Sequence, residues 1–170
     1  MDNTSASSTG IRHTLRALYH RNYRLYFGGQ SISLIGTWLT RVAMSWLVYR
    51  LTNSAFLLGV VGFSGLIPIF LLAPVAGVLT DRWNRHTILV VTQLLLMVQS
   101  FALAFLALTG AIAVWHIVAI SISQGLVNAF DSPARQAFVV DVVEKKEDLA
   151  NAIALNSSMF NVARMIGPSA

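Results

Sequence analysis

Four long apolar runs dominate this chain of 170 residues and leave few folds open to it. They extend from about Tyr26 to Tyr49, Phe56 to Leu79, Thr87 to Leu108 and Ala111 to Phe130. Each is close to the ~20 apolar residues that a helix needs to cross a bilayer. Because backbone polar groups find no partners in lipid, such runs cross it as helices. The runs predict an all-α membrane protein with four transmembrane helices and the start of a fifth after Leu149.

The composition and charge of the chain exclude several other classes of protein. Hydrophobic residues make up 55% of the chain and charged residues only 11%, against roughly 25% charged residues in a soluble domain. Although the net charge is +5, most of the basic residues flank the apolar runs, so we expect no nucleic-acid partner. The chain has no cysteine and no metal-ligand spacing, and we expect neither a metal nor a cofactor.

The basic residues also predict an orientation in the membrane. Nine of them lie in the N-terminal segment, the second connection and the fourth connection, whereas Arg50 alone lies near the opposite ends of the runs. Because Lys and Arg accumulate on the cytoplasmic side, we expect a multi-pass protein of the cell membrane whose N-terminus is cytoplasmic. The nine are Arg12, Arg16, Arg21, Arg24, Arg82, Arg85, Arg135, Lys145 and Lys146.

Residues 1–22 read as a cytoplasmic tail, and residues 23–170 as one partial transmembrane bundle. From Ile11 onwards apolar residues recur at helical spacing while basic residues occupy the other faces, which predicts a short helix at the lipid headgroup boundary. Such a helix serves either as a basic anchor that fixes the orientation or as a sensor of lipid or of a partner.

Polar residues inside the apolar runs are informative because lipid offers them no partner. The first run places Gln30, Thr37, Arg41 and Ser45 on one side of a helical wheel. The fourth run forms a second polar stripe: Ser121, Gln124, Gly125, Asn128, Asp131 and Ser132. We expect these two helices to share an aqueous cavity. The candidate cavity residues are Gln30, Thr37, Arg41, Ser45, Gln124, Asn128 and Arg164.

Arg41 is the most informative of these polar residues. At ~1.5 Å per residue it lies about 21 Å along the helix from Phe27, in the outward half of the span. A charge at such depth costs ~3 kcal/mol unless water or a counter-charge meets it. One interpretation is an arginine in the cavity that attracts anionic substrates, with Arg164 assisting. The alternative is a structural arginine whose side chain extends to the outer interface beside Arg50.

The acidic and the small residues carry two further predictions. None of the seven acids lies in the middle of a span, so we expect no intramembrane proton acceptor in this segment. In the second span, small residues at short spacing favour close packing of a neighbouring helix. These are Gly59, Gly62, Gly65, Ala73 and Gly77.

The connection between the second and third runs, from Gly77 to His86, carries the most specific motif. Its residues Gly77, Leu79, Asp81, Arg82 and Arg85 resemble the loop signature of the major facilitator superfamily between helices 2 and 3. The resemblance implies that Asp81 latches two halves of a transporter by facing a helix N-terminus of the second half, a favourable position for a carboxylate. We group Asp131 with this latch. The superfamily usually has glycine where Asn84 stands, and asparagine also tolerates the left-handed conformation.

Other phrases resemble the enterobactin exporter branch of that superfamily, whose members export siderophores, macrolides and other amphipathic compounds. They are Thr37-Trp38 with Arg41 and Trp46-Leu47-Val48-Tyr49, then Asp131-Ser132-Pro133-Ala134-Arg135-Gln136, and Asn161-Val162-Ala163-Arg164-Met165-Ile166-Gly167-Pro168. Two positions depart from superfamily patterns. Ser121 stands where proton-coupled members often carry arginine before Gln124-Gly125, and Ala163 replaces the leading glycine of an exporter motif.

The resemblance implies a fragment of a secondary active transporter, an antiporter for efflux of small amphipathic or anionic compounds by alternating access. Its partners are then a small-molecule substrate, membrane lipid and the C-terminal half of the same transporter. The alternative from another class is a non-transporting membrane scaffold or assembly protein, whose polar stripes are oligomer contacts. An enzyme is disfavoured, because the sequence has no phosphate loop and no nucleophile elbow around Ser64.

Overall fold

The computed structural model describes residues 21–142 and 146–169, and within these ranges it contains five α-helices and no strand. The helices are α1 (Arg21–Thr52), α2 (Ala55–Arg82), α3 (Arg85–Leu108), α4 (Val114–Val142) and α5 (Lys146–Ile166), and a 3-10 turn follows at Gly167–Ser169. The prediction of an all-α fold is confirmed. The tail helix predicted from Ile11 lies outside the described residues.

Three of the helices are long and apolar enough to cross a membrane. They are α1 from Tyr23 to Thr52, α2 and α3. The fourth predicted span lies mostly in α4, which is 29 residues long. By length and composition α4 does not qualify as a membrane-spanning helix, because the polar stripe that includes Gln124 and Asn128 lowers its hydropathy.

Large apolar side chains are exposed along α2 and α3. Phe70 is 81% exposed and Leu108 is 89% exposed. In water such a surface is an aggregation hazard or a binding patch, whereas in a bilayer it faces hydrocarbon at no cost. Exposed apolar surface of this kind is typical of helices that lipid solvates.

Left-handed residues and a side-chain cap mark several of the helix ends. Asn53 has a φ of 51° between α1 and α2, and Gly110 has a φ of 70° after α3. At the start of α3 the Asn84 side chain accepts a hydrogen bond of 3.2 Å from the Thr87 N–H. Asn84 has a φ of −67°, so it does not use the left-handed conformation that asparagine tolerates. Capping of α3 explains this residue, because the side-chain oxygen satisfies an N–H that the helix leaves unpaired.

The start of α4 is fixed by a histidine. The Ala113 N–H donates a hydrogen bond of 3.0 Å to Nδ1 of His116, whose ring lies 3.7 Å from that of Trp115 between centroids. His116 thus reaches back to the residue that precedes the helix, as a capping-box side chain does.

The chain divides into two compact units, and the first and fourth helices contribute to both. One unit is Leu39–Gln136, whose core contains Met44, Val48, Val61, Leu103 and Ile117. The other comprises the described residues of Met1–Trp38 and Ala137–Ala170. Its buried residues are Tyr23, Val139, Ala152 and Leu155 in one cluster and Leu34, Met159 and Ala163 in a second. The division predicted after residue 22 stays a prediction.

Candidate functional site

A cavity of about 280 Å³ lies among α1, α2 and α4 in the unit Leu39–Gln136. Four of the seven candidate residues line it: Arg41 and Ser45 from α1, and Gln124 and Asn128 from α4. Within each helix the two residues are four positions apart, which places them on one face. The structure therefore brings the polar faces of α1 and α4 to one cavity, as the helical wheels indicate.

The walls of this cavity combine a few polar groups with apolar surface. Arg41 and Ser45 are exposed, and Gln124 is buried. The Ser45 hydroxyl donates a hydrogen bond of 3.1 Å to the Arg41 carbonyl. Apolar surface comes from Met44, Val61, Leu66 and Ile69. A cation and two amides in a mainly apolar enclosure suit an amphipathic molecule that carries acceptor oxygens.

Close packing of α2 against α4 forms one wall of the cavity. The buried Ser121 hydroxyl donates a hydrogen bond of 2.8 Å to the carbonyl oxygen of Val61. A Cβ on Gly65 would lie 2.9 Å from Ser121 Oγ, and a Cβ on Gly125 would overlap the Gly65 carbonyl. The small-residue prediction is therefore correct at Gly65. The polar-stripe pattern did not identify Ser121 and Gly125 as packing residues, although the pairing of a glycine with small neighbours was a usable signal.

The other three candidate cavity residues lie in the second unit. Gln30 is buried, and the Thr37 hydroxyl donates a hydrogen bond of 2.9 Å to the carbonyl of Ser33. The Arg164 guanidinium lies over the ring of Trp38, with its Cζ 5.8 Å from the centroid. A cavity shared by all seven residues stays a prediction.

Asp131 is the centre of a buried polar network between α3 and α4. The side chain is 1% exposed and accepts hydrogen bonds from Thr92 Oγ1 at 2.8 Å and Gln93 Nε2 at 3.3 Å. It also forms an ion pair with Arg135, one turn further along α4. A buried carboxylate needs such partners because desolvation is costly. Asp131 therefore joins α3 to α4, a role that its place in the polar stripe did not indicate.

The loop signature lies where α2 ends and α3 begins. Asp81 is 76% exposed in its side chain, and its Oδ1 is 3.9 Å from Nη2 of Arg85. Arg82 is the last residue of α2. Gly77 faces open space, because a Cβ at this position would have no heavy atom within 4 Å. The latch role of Asp81 stays a prediction.

A larger groove of about 740 Å³ runs along α3 and α4 from this loop. Its loop end is polar, and the rest of its lining is mainly apolar. The lining residues include Arg82, Trp83, Asn84, Thr87, Ile88, Val91, Leu95, Leu126, Val127 and Phe130. The sequence did not predict this groove, because its apolar residues are equally typical of a lipid-facing surface.

Comparison with known proteins gives matches to membrane transporters. Residues 13–170 match the family described as transmembrane secretion effector. The staphyloferrin A transporter of Staphylococcus aureus is 27% identical over 86% of this chain and 37% of its own length. The macrolide efflux protein A of Streptococcus pyogenes is 25% identical over 88% of this chain and 38% of its own. The multidrug efflux pump Tap of Mycolicibacterium fortuitum is 25% identical over 78% and 34%. No solved structure matches.

Proposed function

We propose, from the premise that this chain belongs to the transmembrane secretion effector family of the major facilitator superfamily, that it is part of an efflux transporter. The transporter would export small amphipathic or anionic compounds by alternating access. The observation that carries this proposal is the cavity at which Arg41, Ser45, Gln124 and Asn128 meet. Relatives named as a macrolide efflux protein and a multidrug efflux pump support the direction of transport. A relative named as the staphyloferrin A transporter supports a small-molecule substrate.

The chemistry of the cavity supports the proposed class of substrate. A fixed cation attracts an anion far more strongly in a partly dehydrated cavity than in water. The Arg41 guanidinium offers several donors in a planar fork, which suits carboxylates and other oxygen acceptors. The amides of Gln124 and Asn128 both donate and accept hydrogen bonds, and Leu66 and Ile69 offer apolar surface to the rest of the molecule.

The chain spans little more than a third of the length of two of these relatives, 37% of the staphyloferrin A transporter and 38% of the macrolide efflux protein. We therefore propose that the remaining length supplies a C-terminal half, against which this part moves. Asp81, exposed at the turn between α2 and α3, would latch the two halves on the cytoplasmic side. Nine basic residues lie in the N-terminal segment and in the second and fourth connections, which supports the assignment of these segments to the cytoplasmic side.

Proton antiport would use an acid supplied by the other part of the transporter. No carboxylate is among the residues that line the cavity of about 280 Å³ in the described part of the chain. Asp131, the buried acid of α4, is already held by Arg135, Thr92 and Gln93.

An export assay with the intact transporter tests the proposal. The purified protein is reconstituted in liposomes, and transport of carboxyfluorescein, an anionic probe, is compared with transport of ethidium, a cationic one. We expect carboxyfluorescein export that protein-free liposomes lack. A protein that is well folded but moves neither probe would contradict the proposal and favour the membrane scaffold.

A further inference from the structure

An aromatic side chain of α1 holds the second candidate cation of this protein. Trp38 lies beneath the Arg164 guanidinium of α5, with 5.8 Å between Cζ and the ring centroid. We infer that Trp38 is a positioning residue, which orients Arg164 toward an anionic substrate without neutralising its charge. The inference rests on the proposed export function and adds to it a residue that determines specificity.

The ring of Trp38 is itself fixed by its neighbours on α5. Phe160 meets it edge to face, with centroids 5.9 Å apart and an interplanar angle of 73°. Phe160 and Arg164 are one helical turn apart, so the same face of α5 supplies both contacts. The buried cluster of Leu34, Met159 and Ala163 packs against the partly buried Trp38. Phe160 and the buried cluster therefore fix the indole of Trp38, and its face remains in contact with the Arg164 guanidinium.

The chemistry of the residue that contacts Arg164 determines whether its charge remains available to a ligand. A carboxylate beside Arg164 would cancel its charge, whereas an aromatic face attracts the cation through its quadrupole and leaves the net charge unchanged. Arg164 is exposed, and among the described residues its contact is with Trp38 and not with a carboxylate. The guanidinium is thus restrained in position and keeps its charge for a ligand.

Transport kinetics of the intact, reconstituted transporter test this inference. Trp38→Leu should raise the KM for carboxyfluorescein roughly three- to ten-fold, the range expected when a cation–π contact is lost. The kcat and the KM for ethidium should change little. Trp38→Phe keeps an aromatic face and should give a smaller increase. Trp46→Leu is the matched control, because it removes the contact of the Trp46 ring with Arg50 and leaves that of Trp38 with Arg164.

A double variant separates positioning from packing. In an Arg164→Gln background, Trp38→Leu should cause no further increase in the KM for carboxyfluorescein, because nothing remains to be oriented. Equal changes for both probes, additive changes in the double variant, or an Arg164→Gln protein with unchanged probe preference would overturn the inference. Any of those outcomes would contradict the role of Trp38 but not the proposed export function. A wild-type protein that exports neither probe would contradict both.

Discussion

Gly125 of α4 packs directly against the backbone carbonyl of Gly65 in α2, so that a methyl group on Gly125 would overlap this oxygen. Ser121, one turn earlier on α4, donates its hydroxyl proton to the Val61 carbonyl of α2. The two helices therefore touch at successive turns, once through backbone and once through a serine hydroxyl. Because both contacts border the cavity that holds Arg41, the packing of α2 on α4 sets the shape of that cavity.

The first prediction concerns this packing. Gly125→Ala should destabilise the protein by about 1–3 kcal/mol, because the added methyl group forces the two helices apart. Unfolding by a denaturing detergent provides the measurement. Gly59→Ala is the control, since no heavy atom lies within 4 Å of a Cβ at that position. If both variants unfold at the same detergent concentration as the wild type, the close contact is not formed.

The second prediction concerns the buried ion pair of α4. Asp131→Asn should destabilise the protein by roughly 3 kcal/mol, because it removes a buried negative charge that pairs with the half-buried Arg135. The double variant Asp131→Asn with Arg135→Gln should recover part of this loss. Asp81→Asn, which breaks an exposed pair, should cost less than about 1 kcal/mol. Equal losses at Asp131 and Asp81 in the same unfolding assay would contradict the buried network.

Arg41 is the subject of the third prediction. Arg41→Gln should weaken export of carboxyfluorescein more than export of ethidium, because the cavity loses its fixed cation. Arg41→Lys should be intermediate, since it retains the charge but loses the planar fork. Arg50→Gln is the control, because Arg50 lies over the Trp46 ring on the same helix. Unchanged preference between the two probes in Arg41→Gln would assign Arg41 a structural role.

The fourth prediction concerns the loop between α2 and α3. Asp81→Asn in the intact transporter should reduce transport while its amount in the membrane stays near normal, because an exposed residue contributes to the contact between halves and not to folding. Asp81→Glu, which keeps the negative charge, should retain more activity. Wild-type transport rates in Asp81→Asn would make Asp81 an ordinary loop charge.

The fifth prediction concerns energy coupling. Neutralising the membrane-embedded acids of the proposed C-terminal half should abolish proton-driven export, because no carboxylate lines the cavity among α1, α2 and α4 in the described ranges. The measurement is uptake of carboxyfluorescein into inside-out vesicles under an imposed proton gradient. Export that survives removal of all those acids would place the acceptor in this segment, with Asp131 the first residue to examine.

Helical periodicity explains why four of the seven candidate residues line one cavity. Arg41 and Ser45, like Gln124 and Asn128, are four residues apart, and a helix of known pitch brings such pairs to one face. The length of each apolar run predicted the helices in the same way. These properties are local, so they can be read from the sequence without knowledge of how the helices pack.

Contacts between helices were not predictable in the same way. The hydrogen bond from Ser121 to Val61 depends on where α2 crosses α4, and a serine in a polar stripe fits a cavity equally well. Asparagine is compatible both with the left-handed conformation and with an N-cap. Asn84 is an N-cap because α3 begins at the next residue. The partners of Asp131 on α3 depend on how the helices pack, and no sequence pattern specified them. Arg135, in contrast, stands at the i,i+4 spacing that favours an ion pair on one helix.

The two-residue connection between α2 and α3 constrains how this protein is made. Helix α2 ends at Arg82 and α3 begins at Arg85, and the three backbone steps between these residues span at most ~11 Å. The end of one helix can therefore never be far from the start of the next while the nascent chain enters the bilayer. We expect α2 and α3 to insert as one hairpin, so that an insertion error in either helix inverts both.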